Sequence, residues 1–172
     1  MSFEFRNLDE TTRKIMLDEF DNDFKINNWY VSPRLNSNGI KEFPNLIKKA
    51  FKDGTEETFT NSIKPIIHLN EIEMSSRNGN PYQKRVPVNA SKVLGESEFN
   101  RYYMIALSKR ALNENKSIRV YRGRESSRPR PESEALIGKN LNPEETLNKL
   151  KDIINIDAQI PEPNSGITLE LI

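Results

Sequence analysis

Residues 97–123 read SEFNRYYMIALSKRALNENKSIRVYRG. Two periodicities meet in this stretch, and the change from one to the other decides the fold class. From Ser97, a helix-capping residue type, Phe99, Tyr103, Ala106 and Arg110 follow one helical stripe, and Met104, Leu107 and Ala111 follow the stripe beside it. Two neighbouring apolar stripes predict a long helix buried on more than one side. Directly after it the period drops to two: Ile118 and Val120 fall on one face, with Arg119 and Tyr121 on the other and the turn residue Gly123 behind them. A buried helix running into a strand predicts an α+β core.

Upstream, the pattern is helical. Asn7 followed by Glu10 has capping-box spacing, and Leu8, Ile15, Phe20 and Phe24 recur near the helical period, which predicts a helix over 7–24. Trp29, the only tryptophan, reads as a core plug within an extended segment. The stretch FPNLIKKAFKDG (43–54) suits a second helix, with Pro44 in first position, Phe43, Ile47, Ala50 and Phe51 on one face and Gly54 at the C-cap. A short third helix capped by Thr55 should end before Pro65. Strands are then expected over 66–74 and 84–88, flanking a polar loop or arm at 75–84 whose Asn-Gly-Asn-Pro run reads as a turn of some length. The candidate contact residues on that loop are Arg77, Asn78, Tyr82, Lys84 and Arg85.

Downstream, LNPEETLNKLKDII begins with a clear helix start. Asn142 caps, Pro143 takes the first position, Glu144 and Glu145 favour the positive end of the dipole, and Leu147, Leu150 and Ile154 form the apolar face. The alternation of Ile167, Leu169 and Leu171 predicts a terminal strand that pairs within its own molecule or a neighbour's. The expected architecture is a helical N-terminal third, a small mixed sheet, one long buried helix and a C-terminal strand, all in one domain over 1–172.

Composition narrows the function classes. Hydrophobic residues make up 35% and charged residues 30% of the chain, so a small core under a large polar surface is expected. With no cysteine, thiolate zinc sites, disulfides and cysteine nucleophiles are excluded. No signal-peptide pattern or long apolar run is visible, which predicts neither export by a standard signal nor a membrane partner.

The net charge of +1 conceals an uneven layout. Residues 1–25 carry four basic and seven acidic side chains, and residues 26–76 carry six of each. Residues 77–130 carry thirteen and four, and residues 131–172 carry three and eight. The middle is strongly basic and both ends are acidic. That suits docking of unlike surfaces between subunits, contact with nucleic acid, or neutralisation within one folded chain.

Chemistry-bearing motifs are few. The stretch RESSRPRPESEALIGK (124–139) brings Glu132 and Glu134 beside arginines, as an acid-base pair would, but Pro131 followed by two glutamates is also what a helix dipole favours. Arg122 and Glu132 lie ten residues apart with no Ser-Thr-Ser element between them, which rules out the arrangement of ADP-ribosyltransferases. His68 is the only histidine, so no multi-histidine metal site can form, and it reads as a partly buried strand residue. Phosphate-loop, dinucleotide and EF-hand motifs are missing, and neither a cofactor nor a metal is expected. The interaction candidates are Arg101, Lys109, Arg110, Arg119, Arg122, Arg124, Arg128, Arg130, Glu132 and Glu134.

The segments MSFEFRNLDETTRKIMLDE, EFNRYYMIALSKRAL, VYRGRESSRPRPESEALIGK and PNSGITLEL resemble a family of small uncharacterised proteins carried by phages, prophages and bacterial mobile elements. The resemblance spans most of the chain and implies a genomic setting without an activity. In that setting, the expected role is a non-enzymatic structural or assembly component of a phage-like particle, made in the host cytoplasm and retained in the virion. Its partners would be other subunits, copies of itself included. The alternatives are a nucleic-acid-binding protein or small nuclease-like effector, and a binding inhibitor in a phage-host conflict.

Overall fold

The computed structural model describes residues 2–126, 128–153 and 161–172. Its centre is the helix expected from residues 97–123, which begins seven residues earlier than its Ser97 signal. This helix, which takes the label α5 in chain order, spans Ala90–Glu114, and every residue over 98–108 is buried. The early start depends on Gly95. A Cβ there would lie 2.5 Å from the Thr60 hydroxyl and 2.9 Å from its Cα, so only glycine lets the neighbouring helix approach this closely.

Helix α1 (Glu10–Lys25) is capped by Asp9, whose carboxylate accepts the Thr12 N–H at 2.9 Å. Asn7, expected to cap it, instead accepts the Leu171 N–H at 3.0 Å, tying the N-terminal segment to the last strand. Helix α2 (Ser37–Asp53) starts well before Pro44 because Asn36 caps it by accepting the Gly39 N–H at 2.8 Å. Pro44 therefore sits inside the helix and offers no donor to the Ile40 carbonyl. Burial of Phe43, Ile47 and Phe51 on one face offsets that loss. Helix α3 (Glu56–Ser62) has the expected Thr55 cap, here a reciprocal box with Thr58.

The strand expected from residue 66 is replaced at its start by a single helical turn, α4 (Pro65–His68), because Pro65 is as well suited to a first helical position as to a helix stop. His68 is therefore a helical residue. Its Nδ1 accepts the Lys64 N–H at 2.8 Å, leaving Nε2–H to donate to Glu42 at 2.8 Å. Strands β1 (Ile72–Arg77) and β2 (Asn80–Arg85) follow as an antiparallel hairpin. Its turn is two residues, Asn78 (φ 52°) and Gly79 (φ 80°), shorter than the sequence reading, because Asn-Gly favours the turn with two positive φ angles that matches strand twist.

After α5, strand β3 (Ile118–Arg122) lies between β4 (Asn140–Leu141) and the terminal strand β5 (Ile167–Leu171), all antiparallel. The C-terminal strand thus pairs within its own chain, with Val120 opposite Leu169. Both described sheets are antiparallel, including the one expected to be mixed. Helix α6 (Pro131–Glu134) is one turn, and α7 (Pro143–Lys151) has its Asn142 cap and acidic first turn as expected. Ile154, assigned to its apolar face, lies outside the described residues.

Helices α1, α3 and α7 and the β3–β5 sheet pack around α5. An aromatic chain, Trp29–Phe43–Phe59 on one side and Phe20–Phe51–Phe99–Tyr102 on the other, fills the space between α1, α2, α3 and α5. Trp29 is the core plug expected. Among the described residues, no helix is long and apolar enough to cross a membrane.

Candidate interaction surface

Most of the basic stripe is consumed by the fold. Arg101 is buried, donates to the Leu150 carbonyl at 3.2 Å and the Tyr102 hydroxyl at 3.3 Å, and pairs with Glu98 at 3.4 Å. Lys109 pairs with buried Glu19, which also holds Lys151 at 2.7 Å. Arg110 binds Asp9 and Glu114, each at 2.7 Å, and Arg119 shares Glu170 with Arg6 at 2.8 and 2.7 Å. Arg122 pairs with Glu134, Arg130 with Glu162, and Arg124 lies 3.5 Å from Glu96. Of the basic side chains over 77–130, only Arg77, Arg85 and Arg128 make no ion pair among the described residues.

Among the acids that the sequence did not single out, Asp9, Glu19 and Glu170 come from the acidic ends. Their signal was present in the charge layout, since both acidic ends return to the basic middle. Glu19 loses hydration on burial, which would raise its pKa, but hydrogen bonds from Lys109 and Lys151 outweigh that and hold it below the usual carboxylate range. Glu170 is held down in the same way by Arg6 and Arg119 against its own burial.

The working-carboxylate reading of Glu132 and Glu134 finds no support in this geometry. They occupy the first turn of α6, where Glu134 is engaged by Arg122 and exposed Glu132 makes no ion pair among the described residues. Among the described residues, no three His, Asp or Glu side chains stand close enough to hold a metal ion.

A cleft of about 420 Å³ lies between residues 30–34, the first half of α5, the end of α7 and residues 161–164. Glu98 and Arg101 both line it. Burial pushes the Glu98 carboxyl up, Arg101 opposes the shift, and nearby Asp23 adds to it. Asp23 in turn accepts the Tyr102 hydroxyl at 3.0 Å and Lys151 at 2.7 Å. Through Arg101 and the Leu150 carbonyl this network fastens the last turn of α7 to α5. Nothing in the sequence marked Glu98, which reads as an ordinary polar residue near a helix start.

The β1–β2 hairpin stands apart. All six residues of β2 are exposed, and on β1 only Glu73 and Ser75 are half-buried. Its base is anchored: Arg34 grips Glu73 at 2.6 Å, Val86 N–H donates to the Glu71 carbonyl at 3.0 Å, and Leu35 bridges to Leu69 just upstream. Glu73 also takes Lys84 at 3.3 Å, and Arg34 first, then Lys84, lower its pKa. Beyond that point the ribbon has no partner element among the described residues. Arg77, Asn78, Tyr82 and Arg85 are all exposed on it, as is Lys84 beside its ion pair. Among the sequence candidates, these are the residues the fold gathers on one open element.

Compared with family models, curated proteins and solved structures, the chain matches none.

Proposed function

We propose that this chain is a non-enzymatic association protein, a structural or assembly component of a phage-like particle, and that its docking element is the β1–β2 arm. The observation that carries the reading is an anchored but otherwise uncovered ribbon. An isolated two-stranded hairpin is marginal in water and gains stability when a partner covers it. Two free strand edges and exposed Ile72 and Met74, at 50% and 64% exposure, are a liability on a lone subunit and an asset on one that assembles. The phage and mobile-element setting comes from the sequence resemblance. Docking by the wider basic stripe is a weaker route, because those arginines already hold carboxylates of the same chain.

Mass measurement in solution tests this, on the chain alone and with the products of neighbouring genes. The wild-type chain should form a defined homo- or hetero-assembly. A variant in which Asn-Gly replaces residues 74–83 should fold and stay monomeric. A wild-type chain that remains monomeric in every mixture, or an arm-shortened variant that assembles equally well, refutes the proposal.

A further inference from the structure

Resting on the reading of the arm as a docking element, we infer that the whole ribbon binds nucleic acid, entering the major groove of duplex DNA. Composition separates the two halves of the ribbon. The proximal half holds Ile72 and Met74, the cations Lys84 and Arg85, and the one carboxylate, Glu73, which Arg34 and Lys84 engage. Residues 75–83 are Ser, Ser, Arg, Asn, Gly, Asn, Pro, Tyr and Gln, with no acid and no aliphatic side chain except the proline ring. The tip carries amides, hydroxyls and a guanidinium, which are the groups that hydrogen-bond base edges and phosphates.

Charge points the same way. Across the basic region the fold pairs nearly every cation with a carboxylate; among the described residues the exceptions are Arg128 and, on the arm, Arg77 and Arg85, with Lys84, paired to Glu73, between these two in sequence and space. Arg77 lies opposite Asn80, and Arg85 opposite Ile72, so cations stand at both ends of the ribbon. Arg77 and Lys84 lie on one face and Arg85 on the other, since alternate residues face opposite sides. That places positive charge on both flanks of a ribbon inserted edge-down between two phosphate backbones. The shape also fits. A six-residue two-stranded ribbon is roughly 20 Å long, and the major groove, about 12 Å wide, admits such a ribbon. The tight Asn78–Gly79 turn keeps the leading end narrow, and a Cβ at Gly79 would meet nothing.

The test is fluorescence anisotropy of the full chain with a labelled 20-base-pair duplex at several salt concentrations. Three phosphate contacts predict a log-log salt slope of about −2.7. Arg77→Ala/Arg85→Ala should reduce the slope to about −0.9 and weaken binding on the order of 10²-fold at 50 mM salt. Arg77→Lys/Arg85→Lys should preserve the slope. Because both side chains are exposed and unpaired, neither pair of changes should move the unfolding midpoint, which separates lost contact from lost fold. No duplex binding by wild type at 50 mM salt, or binding unchanged by the double alanine variant, overturns the inference. So does retention of a protein partner through Arg77 and Arg85 by a chain that does not bind duplex, which leaves the assembly proposal intact. A chain that binds duplex through the arm but never assembles sustains the inference and defeats the assembly proposal.

Discussion

Glu19 offers the sharpest test of the claim that the fold neutralises its own basic region. Its side chain is only 5% exposed, on α1 near the acidic N-terminus, yet it holds Lys109 of α5 and Lys151 of α7. Replacing Glu19 with Gln keeps the shape and removes the charge, leaving two ammonium groups without that anion. Removing one member of a fully buried pair costs about 3–5 kcal/mol. Both lysines are partly exposed, at 38% and 25%, and Lys151 retains Asp23, so water and the second acid recover part of that. The expected loss is about 2 kcal/mol at pH 7. In urea unfolding this corresponds to a midpoint about 1 M lower. The pH dependence gives the claim its sign. A carboxylate whose folded pKa lies below its unfolded value, about 4.3 for Glu, contributes stability that is full above the unfolded value and disappears as pH falls through the folded one. The gap between wild type and Glu19→Gln should therefore be widest at neutral pH and close as the pH falls through the folded value. A gap of the same size at pH 7 and in acid would mean that Gln disturbs packing, and the electrostatic account would be wrong.

Other changes should have separable effects. Gly95→Ala drives a methyl group into Thr60 and should destabilise the chain by about 1–3 kcal/mol in denaturant unfolding, and Thr60→Ser should not rescue it, because the Thr60 backbone at 2.9 Å is also in the way. Gly79→Val forces a branched residue to φ 80° and should raise amide exchange throughout β1 and β2 while leaving the global melting temperature within about 1 °C. Glu132→Gln/Glu134→Gln should lower stability by less than about 1 kcal/mol, since one carboxylate is unpaired and the other forms a half-exposed pair with Arg122. Any cleavage of DNA or RNA found in the wild-type chain should survive that double change.

The parts of the fold readable in advance share a physical cause: their signals are local. The α5–β3 junction, the Asn142-Pro143 helix start and the terminal alternation of Ile167, Leu169 and Leu171 each depend on residues within a few positions of one another. The misplaced boundaries depend on distant contacts. Ser97 is a good cap, but α5 runs through it because α3 offers a seat for Gly95. Asn7 is a good cap as well, yet β5 takes its side chain and leaves the role to Asp9. The hairpin was missed as a two-residue turn for another reason. The Asn-Gly-Asn-Pro run reads as a turn of some length, whereas in a ribbon with free edges the missing N–H of Pro81 can face solvent and the strand continues through it. For the candidate surface, the charge blocks were visible in one dimension, but which cation meets which anion was not, because Asp9–Arg110 and Arg6–Glu170 join residues 101 and 164 positions apart.

That long-range pairing explains why the arm is the exception. Lys109 and Arg110 of α5 and Arg119 of β3 lie where α1 with its cap and β5 pack, so each finds a carboxylate there as a consequence of burying the shared core. The arm contributes no side chain to that core beyond its anchored base, and no acidic element is drawn against it. Its arginines stay open because folding brings nothing to them. The stretch RPRPESEALIGK, at the boundary between the basic and acidic blocks, is partly spent: Arg122 takes Glu134 and Arg130 takes Glu162, while Arg128 and Glu132 make no ion pair among the described residues. A reader of the one-dimensional charge map would place the interaction surface at that boundary, where the density of charge is greatest. The three-dimensional map moves it to residues 75–85, where the charge is modest but unspent.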